Sequence, residues 1–229
     1  MKIINPSVEL MGNHDGQYVL KHIEACGRTC YQSEAKGATA ERFVRSIIRR
    51  GHESVLEHYS FTLRFICDRG VSHEIVRHRL ASYSQESTRY CCYEDDKFGR
   101  EITVIRPIGL TNNQYSYWGR AMIDAECAYI DILKDGGTPE MARSVLPNSL
   151  KTTLVMTADL REWRHFFKLR CDNAAHPQMR QVALMGLEIA NNAFPVFFED
   201  IAKEYLNNEI KRPELVDLPE REGSETTPV

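Results

Sequence analysis

The sequence predicts an α+β fold, a single domain in which long helices flank a central, mostly antiparallel sheet. A length of 229 residues suits one domain that buries its own core, and we assign residues 1–211 to that domain. Segments with apolar residues at helical spacing are long and frequent, and the strand-like segments mostly follow one another. The clearest strand is residues 59–68, where apolar and polar side chains alternate with a period of two.

The N-terminal part of the chain predicts a short edge strand followed by two helices. Residues 1–4 have a strand pattern, and residues 17–26 have apolar side chains at helical spacing. The second helix has clearer ends, because Thr39 can cap its first turn and Gly51 stands where a helix commonly stops.

A helix over residues 71–80 is predicted to follow the strand at 59–68. At about 100° per residue, its apolar half contains Val71 and Ile75, and Arg79 falls inside the same half. A buried guanidinium is costly without an anion, so we expect a protein carboxylate or a ligand to meet Arg79.

The C-terminal half predicts two strands and four helices. In chain order these are a strand at 102–105, a helix from about 112 to the glycines at 136–137, a short helix after Thr138, an extended segment at 149–157, a helix with a capping box of Asp159 and Glu162, and a helical stretch at 177–208 broken at Pro195. Arg170 projects onto the aromatic face of its helix, so it also requires a buried anion. Residues 212–229 are charged and contain prolines, and we expect them to be disordered.

The composition argues against several classes of protein. A formal net charge of −3 disfavours non-specific binding of nucleic acid by the whole surface. The chain has seven cysteines with no Cys-x-x-Cys pair, and no apolar run of signal-peptide or membrane-helix length. We therefore expect a cytoplasmic protein with reduced thiols. No Gly-x-Gly-x-x-Gly or Walker-type loop occurs, so a nucleotide cofactor would not be held by a Rossmann unit.

The densest group of polar side chains lies at residues 77–90. Arg77, His78 and Arg79 precede a run of hydroxyl, amide and carboxylate side chains, and Arg89 adds a further cation. Such an array suits a small, polar, anionic ligand. The alternative is a solvated basic face at the end of a helix, which the helix dipole would favour.

Several histidines raise the question of a metal site. His52 and His58 are close in sequence, and His73 is followed by Glu74 as in zinc-binding helices. That zinc motif needs a second histidine four residues after the first, and Arg77 occupies the position. We therefore predict no metal site.

The spacing of the polar stretch resembles the signature of one enzyme family. Arg77-His78-Arg79, seven residues, Ser87, one residue and Arg89-Tyr90 together resemble the signature of the flavin-dependent thymidylate synthases. Further landmarks in family order are Gly51-His52-Glu53-Ser54 with Glu57-His58, Arg143 ahead of Leu146-Pro147, and Leu169-Arg170 followed by Asp172 and His176. The resemblance therefore covers most of the chain.

The resemblance implies a homotetramer in which several subunits build each active site. Members of the family bind FAD with its isoalloxazine against dUMP. NADPH reduces the flavin and 5,10-methylenetetrahydrofolate supplies the carbon, so that dTMP and tetrahydrofolate are formed. Reduced flavin replaces the cysteine nucleophile of ordinary thymidylate synthases, so we expect no catalytic cysteine. The expected partners are small molecules and copies of this chain, with no nucleic acid and no membrane.

The resemblance also implies which residues form the site. Those expected around FAD are His52, Ser54, Arg77, His78, Arg79, Gln85, Asp159, Arg161 and His165. Those expected to bind dUMP are Glu74, Arg77, Gln85, Glu86, Ser87, Thr88, Arg89, Arg143 and Arg170. Arg170 is also the expected catalytic residue, because it would stabilise negative charge on the uracil ring when N3 loses its proton. Glu74 stands where many members have glutamine, and we expect it to pair with a neighbouring arginine.

Two other functions remain open from the sequence. An RNA-binding module would bind phosphates through the arginines and stack bases on the tyrosines of the same stretch. The residues concerned are Arg77, Arg79, Arg89, Tyr83, Tyr90 and Tyr93. A flavin reductase without methyl transfer would leave Arg170 without a nucleotide to serve.

Overall fold

The structure is a computed structural model and describes residues 1–30, 32–34, 39–93 and 99–206. In these ranges the strands are β1 Lys2–Ile4, β2 Ser7–Met11, β3 Ser60–Asp68, β4 Ala81–Gln85, β5 Thr103–Ile105 and β6 Lys151–Asp159. The α-helices are α1 Gly16–Thr29, α2 Ala40–Arg49, α3 Arg69–Ile75, α4 Asn112–Lys134, α5 Pro139–Ala142, α6 Leu160–Arg170, α7 Pro177–Ala193 and α8 Pro195–Tyr205. Shorter 3₁₀ helices span Glu53–His58 and Arg143–Val145.

The centre of the fold is a four-stranded antiparallel sheet with the order β2-β3-β6-β4. β3 and β6 pair along their whole lengths, from Ser60 opposite Asp159 to Asp68 opposite Lys151. Both strands alternate buried and partly exposed side chains, because successive residues of a strand face opposite sides of the sheet. β1 and β5 form a separate parallel pair. The predicted α+β fold with an antiparallel sheet is confirmed.

The main core fixes α6 against β3. Phe61 of β3 and Trp163 of α6 stack with ring centroids 5.1 Å apart. The Trp163 indole N–H also donates to the Phe61 carbonyl oxygen at 3.1 Å, so the buried ring has its polar atom satisfied. Phe166 and Phe167 continue this buried aromatic face along α6. Because the middle of α6 is held in this way, the polar residues at its two ends have fixed positions.

The ends of several helices form as the sequence predicts. The Thr39 hydroxyl accepts a hydrogen bond from the backbone N–H of Arg42, and Gly51 has a φ of +72° just beyond α2. The Asp159 carboxylate caps α6 by accepting from the backbone N–H of Glu162 at 2.8 Å. The predicted break at Pro195 separates α7 from α8.

The helix predicted over residues 71–80 is wrong in its second half. α3 ends at Ile75, and the chain then forms edge strand β4, which pairs with β6. The Tyr83 hydroxyl of β4 lies against the carbonyl oxygens of Ile75 and His78, which have no partner within the helix. Arg79 lies on the exposed turn between α3 and β4. The prediction that Arg79 is buried is therefore wrong, and no carboxylate of the described residues pairs with it.

Some predictions were incomplete or fall on other parts of the chain. β2, the strand on the opposite edge of the sheet, was not predicted. The predicted domain end at residue 211 and the predicted disorder of residues 212–229 lie outside the described residues. Within the described ranges, no helix combines the length and the apolar composition needed to cross a membrane.

Candidate active site

A cleft of about 290 Å³ lies between the turn after α3 and one side of α6, from Glu162 in its first turn to Arg170 at its end. Its lining residues are Arg77, His78, Arg79, Leu80, Glu162, His165, Leu169 and Arg170. Arg77 and Arg79 are exposed, and neither has an ion-pair partner among the described residues. The cleft therefore presents two cations that are available to an anionic ligand. We call it the α6 cleft.

His78 is the buried centre of the α6 cleft. Only 4% of the residue is exposed, and both of its ring nitrogens have partners. Nδ1 lies 3.0 Å from a carboxylate oxygen of Glu162, and Nε2 lies 3.1 Å from Nε of Arg170. Burial, together with the nearby charges of Arg170 and His165, lowers the pKa of His78 to about 4. The ring is therefore neutral at physiological pH.

Arg170 is held at the C-terminal end of α6 by three directed hydrogen bonds. Its Nε–H donates to His78, one Nη donates to the Glu74 carboxylate, and the other Nη donates to the Glu74 carbonyl oxygen, each at 3.1 Å. The remaining N–H groups of the guanidinium have no partner among the described residues. The expectation that Glu74 pairs with an arginine is confirmed, and Arg170 meets the expected anion, although this carboxylate is partly exposed and not buried. His176 approaches the other Glu74 oxygen at 3.4 Å.

A second cleft, of about 470 Å³, lies where α5 and the following 3₁₀ helix face the end of the polar stretch. Its lining residues are Arg69, Thr88, Glu140, Arg143, Ser144 and Leu146. Arg143 is exposed and has no ion-pair partner in the described part of the chain. Arg89 forms an exposed ion pair with Glu140 at 3.1 Å. We call this the α5 cleft.

Comparison with known proteins identifies the family. Residues 17–196 match the family described as Thymidylate synthase complementing protein. The chain belongs to this family. It is 36% identical over 187 residues to a flavin-dependent thymidylate synthase of Geobacter sulfurreducens, covering 78% of this chain and 80% of that protein. It is also 34% identical over 217 residues to a flavin-dependent thymidylate synthase of Mycolicibacterium gilvum, covering 85% of this chain and 84% of that protein.

A solved structure shares the fold. The crystal structure of the UMP/dUMP methylase PolB from Streptomyces cacaoi, bound with 5-Br dUMP, superposes with a TM-score of 0.72 at 24% sequence identity. The match covers 90% of this chain and 98% of that chain. At this identity the likeness establishes the fold and not the ligand.

The family signature is divided between the two clefts. Its first part, Arg77-His78-Arg79, lines the α6 cleft together with His165 and Arg170. In its last part, Thr88 lines the α5 cleft with Arg143, and Arg89 pairs with Glu140 of that lining. Ser87 accepts a hydrogen bond from the backbone N–H of Arg89 at 3.3 Å and so shapes the turn there.

Gln85 and Glu86 lie between these two parts, and protein groups already bind both side chains. The Gln85 amide donates to Ser72 at 2.9 Å and to Thr152 at 3.2 Å. Glu86 accepts from the Lys151 ammonium at 2.6 Å, from the Thr153 backbone N–H and from the Tyr93 hydroxyl. The charge of Glu86 is therefore neutralised within the chain. The side-chain carbonyl oxygen of Gln85 has no partner among the described residues.

Four further residues predicted around FAD lie outside the lining of the α6 cleft. His52 and Ser54 are exposed at the beginning of the 3₁₀ helix Glu53–His58. Arg161 is exposed and bonded to Glu57 of that 3₁₀ helix, and Asp159 is used as the cap of α6. The structure brings Arg77, His78, Arg79 and His165 together, but it does not place these four other residues in the lining of the α6 cleft.

Among the described residues, one group of side chains has its metal-ligand atoms close together, although the sequence predicts no metal site. Ligand atoms of His78, Glu162 and His165 lie within 4.8 Å of one another. Both ring nitrogens of His78 already have hydrogen-bond partners, however, and one of these is the guanidinium of Arg170. An ion at this point would have to displace these bonds beside a fixed positive charge.

Sequence reasoning missed the role of Glu162. It assigned this residue to a capping box, but the Glu162 side chain turns to His78, 84 positions away, and only the Asp159 half of the box forms. One signal was present in the sequence. Glu162 precedes Phe166 by four residues, so it lies on the buried aromatic face of α6, where a carboxylate requires a specific partner.

Proposed function

We propose that this protein is a flavin-dependent thymidylate synthase that methylates dUMP to dTMP, with FAD as cofactor, NADPH as reductant and 5,10-methylenetetrahydrofolate as carbon donor. The observation that carries the proposal is the placement of Arg170. Two neighbours orient its guanidinium at a cleft that also contains Arg77 and Arg79, and among the described residues neither these two arginines nor the remaining Arg170 N–H groups have a partner.

The orientation of Arg170 suits it to charge stabilisation on a pyrimidine ring. Loss of the N3 proton of uracil places negative charge on the ring, and fixed guanidinium donors stabilise such charge without reorganisation. Arginine is suited to this role because its N–H groups form a rigid, planar fork and remain charged at all physiological pH values. Arg170 is therefore our proposed catalytic residue.

The surroundings of the α6 cleft fit a flavin nucleotide. Bound FAD, reduced by NADPH, would supply the hydride that becomes part of the new methyl group. Arg77 and Arg79 would bind its phosphates, and the exposed ring of His165 would contact the flavin edge. His52, Ser54 and Arg161 remain candidates for more distant contacts with FAD. The cleft volume is at the lower end for small-molecule sites, so a dinucleotide needs additional surface.

The α5 cleft fits the phosphate of dUMP. Arg143 is exposed and unpaired among the described residues, and Thr88 and Arg89 lie beside it. Charge-assisted hydrogen bonds from arginine, often bidentate, are the strongest common interactions with phosphate. Because Arg89 is paired with Glu140, a phosphate would compete with that carboxylate for the guanidinium.

We propose a homotetramer in which different copies of the chain contribute the α6 cleft and the α5 cleft to one site. Large apolar side chains are exposed beside both clefts. Leu80 is 76% exposed at the α6 cleft, and Tyr90, next to Arg89, is 80% exposed. Contact with another copy would cover these side chains and enlarge the site. Light scattering on the purified protein tests this, because a monomer would contradict a site shared between copies.

The cysteines of the described residues do not favour the mechanism of ordinary thymidylate synthases, in which a cysteine is the nucleophile. No cysteine of the described residues lines either cleft. Cys67 and Cys171 are buried, and burial raises the pKa of each thiol to about 12, so neither forms a thiolate readily. This supports a reaction that uses a hydride-donating cofactor.

The RNA-binding alternative loses most of its stacking surface. Tyr93 is 5% exposed, and the Tyr83 hydroxyl is bonded at the end of α3, which leaves Tyr90 as the exposed ring of the three. A flavin reductase without methyl transfer would still leave Arg143 and Thr88 without a phosphate to bind. Both observations favour the synthase.

The proposal is tested by anaerobic incubation of the purified protein with dUMP, 5,10-methylenetetrahydrofolate, FAD and NADPH. We expect dTMP in the chromatogram, and none when any one component is omitted. We also expect the visible flavin bands to bleach faster with NADPH when dUMP is present. A protein that neither takes up FAD nor binds dUMP would refute the proposal, and bleaching without dTMP would indicate the reductase.

A further inference from the structure

Glu162 is a buried carboxylate that the family signature does not include. It lies in the first turn of α6 and is 6% exposed. Its side-chain hydrogen bond is to Nδ1 of His78 at 3.0 Å. Burial raises the pKa of Glu162, and Asp159 adds to this shift while His165 opposes it. A carboxylate in such a position is costly unless its hydrogen bond serves the structure or the chemistry of the site.

The partners of His78 determine which ring nitrogen carries the proton. Arginine has only donors, so the Nε2 atom that faces the Nε–H of Arg170 must be an acceptor. Neutral imidazole has one proton, which must then be on Nδ1. The Glu162 carboxylate is the acceptor that this proton requires. The three side chains therefore form a chain of hydrogen bonds in which each direction is fixed by the next.

Without an acceptor at Nδ1, the arrangement around Arg170 would change. His78 would then bury an unpaired Nδ1–H, and it can avoid this cost only by placing its proton on Nε2, where a donor would face the Nε–H of Arg170. Two donors at 3.1 Å repel each other, so the guanidinium would lose this contact and retain only its bonds to Glu74. Arg170 would no longer be fixed at both ends of its guanidinium.

We propose that Glu162 is a positioning residue that sets the tautomer of His78 and, through it, the orientation of Arg170 towards the substrate. This role rests on the proposed function of Arg170 as the group that stabilises charge on dUMP. In this role Glu162 acts through His78 and not through a contact of its own with dUMP. Its effect is transmitted through one imidazole ring, in the way that a carboxylate orients a histidine in many catalytic and metal sites.

The test compares Glu162→Leu and Glu162→Gln with the control Asp200→Asn. Glutamine retains a carbonyl oxygen that can accept from Nδ1–H, whereas leucine has none. Asp200 also pairs with a buried group of α6, because it binds Arg164 through both carboxylate oxygens, but it has no contact with His78 or Arg170. It therefore reports the effect of weakening α6 without altering the hydrogen-bond chain.

We expect Glu162→Leu to lower kcat/KM for dUMP by about 100-fold, the loss typical of a displaced catalytic group. Glu162→Gln should remain within about threefold of the wild type, because the acceptor is retained. Asp200→Asn should lower the unfolding temperature and leave kcat/KM unchanged. Wild-type kinetics in Glu162→Leu, or losses in the three variants that follow their stability, would overturn the positioning role.

A second measurement does not depend on the reaction. With ¹⁵N-labelled histidine, NMR distinguishes the protonated from the unprotonated ring nitrogen, and the His78 signals are assigned by their loss in His78→Gln. We expect the Nδ1–H tautomer in the wild type and in Glu162→Gln, and a shift towards Nε2–H in Glu162→Leu. An unchanged tautomer would overturn the inference. If the wild type forms no dTMP although it shows the expected tautomers, the proposed function fails and the link from Glu162 to His78 remains.

Discussion

Replacement of Glu74 tests how strongly a single carboxylate orients Arg170. Glu74→Leu removes the acceptor of one Nη–H at 3.1 Å, while the backbone carbonyl of the same residue still accepts from the other Nη. A hydrogen bond between charged groups contributes about 1.5–3 kcal/mol. Because the Glu74 side chain is 32% exposed and water can partly replace it, we reduce this to about 1–2 kcal/mol.

This energy corresponds to a loss of about 5- to 30-fold in kcat/KM for dUMP, if the guanidinium acts in the transition state. Glu74→Gln retains an acceptor oxygen and should lose less than about threefold. The assay is steady-state formation of dTMP with dUMP varied and the other substrates saturating. Glu9→Gln serves as control, because it removes a carboxylate from an exposed ion pair with Arg64 on the sheet. Wild-type kinetics in Glu74→Leu would refute the orienting role.

Four further outcomes follow from contacts described above. Asp200→Asn should destabilise the protein by about 2 kcal/mol, because Arg164 is 1% exposed and depends on this charge, and thermal unfolding should shift down by about 4–8 °C. Arg143→Lys should raise KM for dUMP several-fold and retain turnover, since a point charge still attracts phosphate. Arg170→Lys should lower kcat by about 100-fold, because lysine cannot form the three directed hydrogen bonds of the guanidinium. The pKa of His78 is lower in the folded state, so the unfolded chain binds more protons than the folded one between about pH 4 and 6.5. The unfolding temperature should therefore fall as the pH decreases through this window, and the fall should be smaller in His78→Gln.

Local patterns predicted the parts of the fold where the residues that decide an element are neighbours in sequence. The alternation in β3, the cap of α2 at Thr39 and the break at Pro195 all depend on side chains within a few positions, and all three are confirmed. The prediction of a helix over residues 71–80 is wrong in its second half because a distant part of the chain decides the structure there. That part is β6, which pairs with residues 81–85 and lies about 70 residues further along the chain.

The error at Arg79 shows how far an angular argument can be extended. Projection at about 100° per residue holds only while the helix continues, and α3 ends at Ile75, four residues before Arg79. The projected direction of the Arg170 side chain is correct, because α6 extends to that residue and places it on the side that faces His78 and Glu74. The reliability of a predicted side-chain direction therefore depends on where the helix ends, which is the least certain part of a prediction from sequence.

Arg143 and Arg170 show which part of the site required the tertiary structure. The family resemblance assigns both to dUMP. The fold gives the two arginines different surroundings. Arg170 is clamped by hydrogen bonds to His78 and Glu74, whereas Arg143 is exposed and unpaired among the described residues. A clamped guanidinium can stabilise charge at one atom, and a free one can follow a mobile phosphate. The groups that fix Arg170 come from α3 and the turn after it, more than 90 positions away, so no local pattern could have distinguished a catalytic arginine from a binding one.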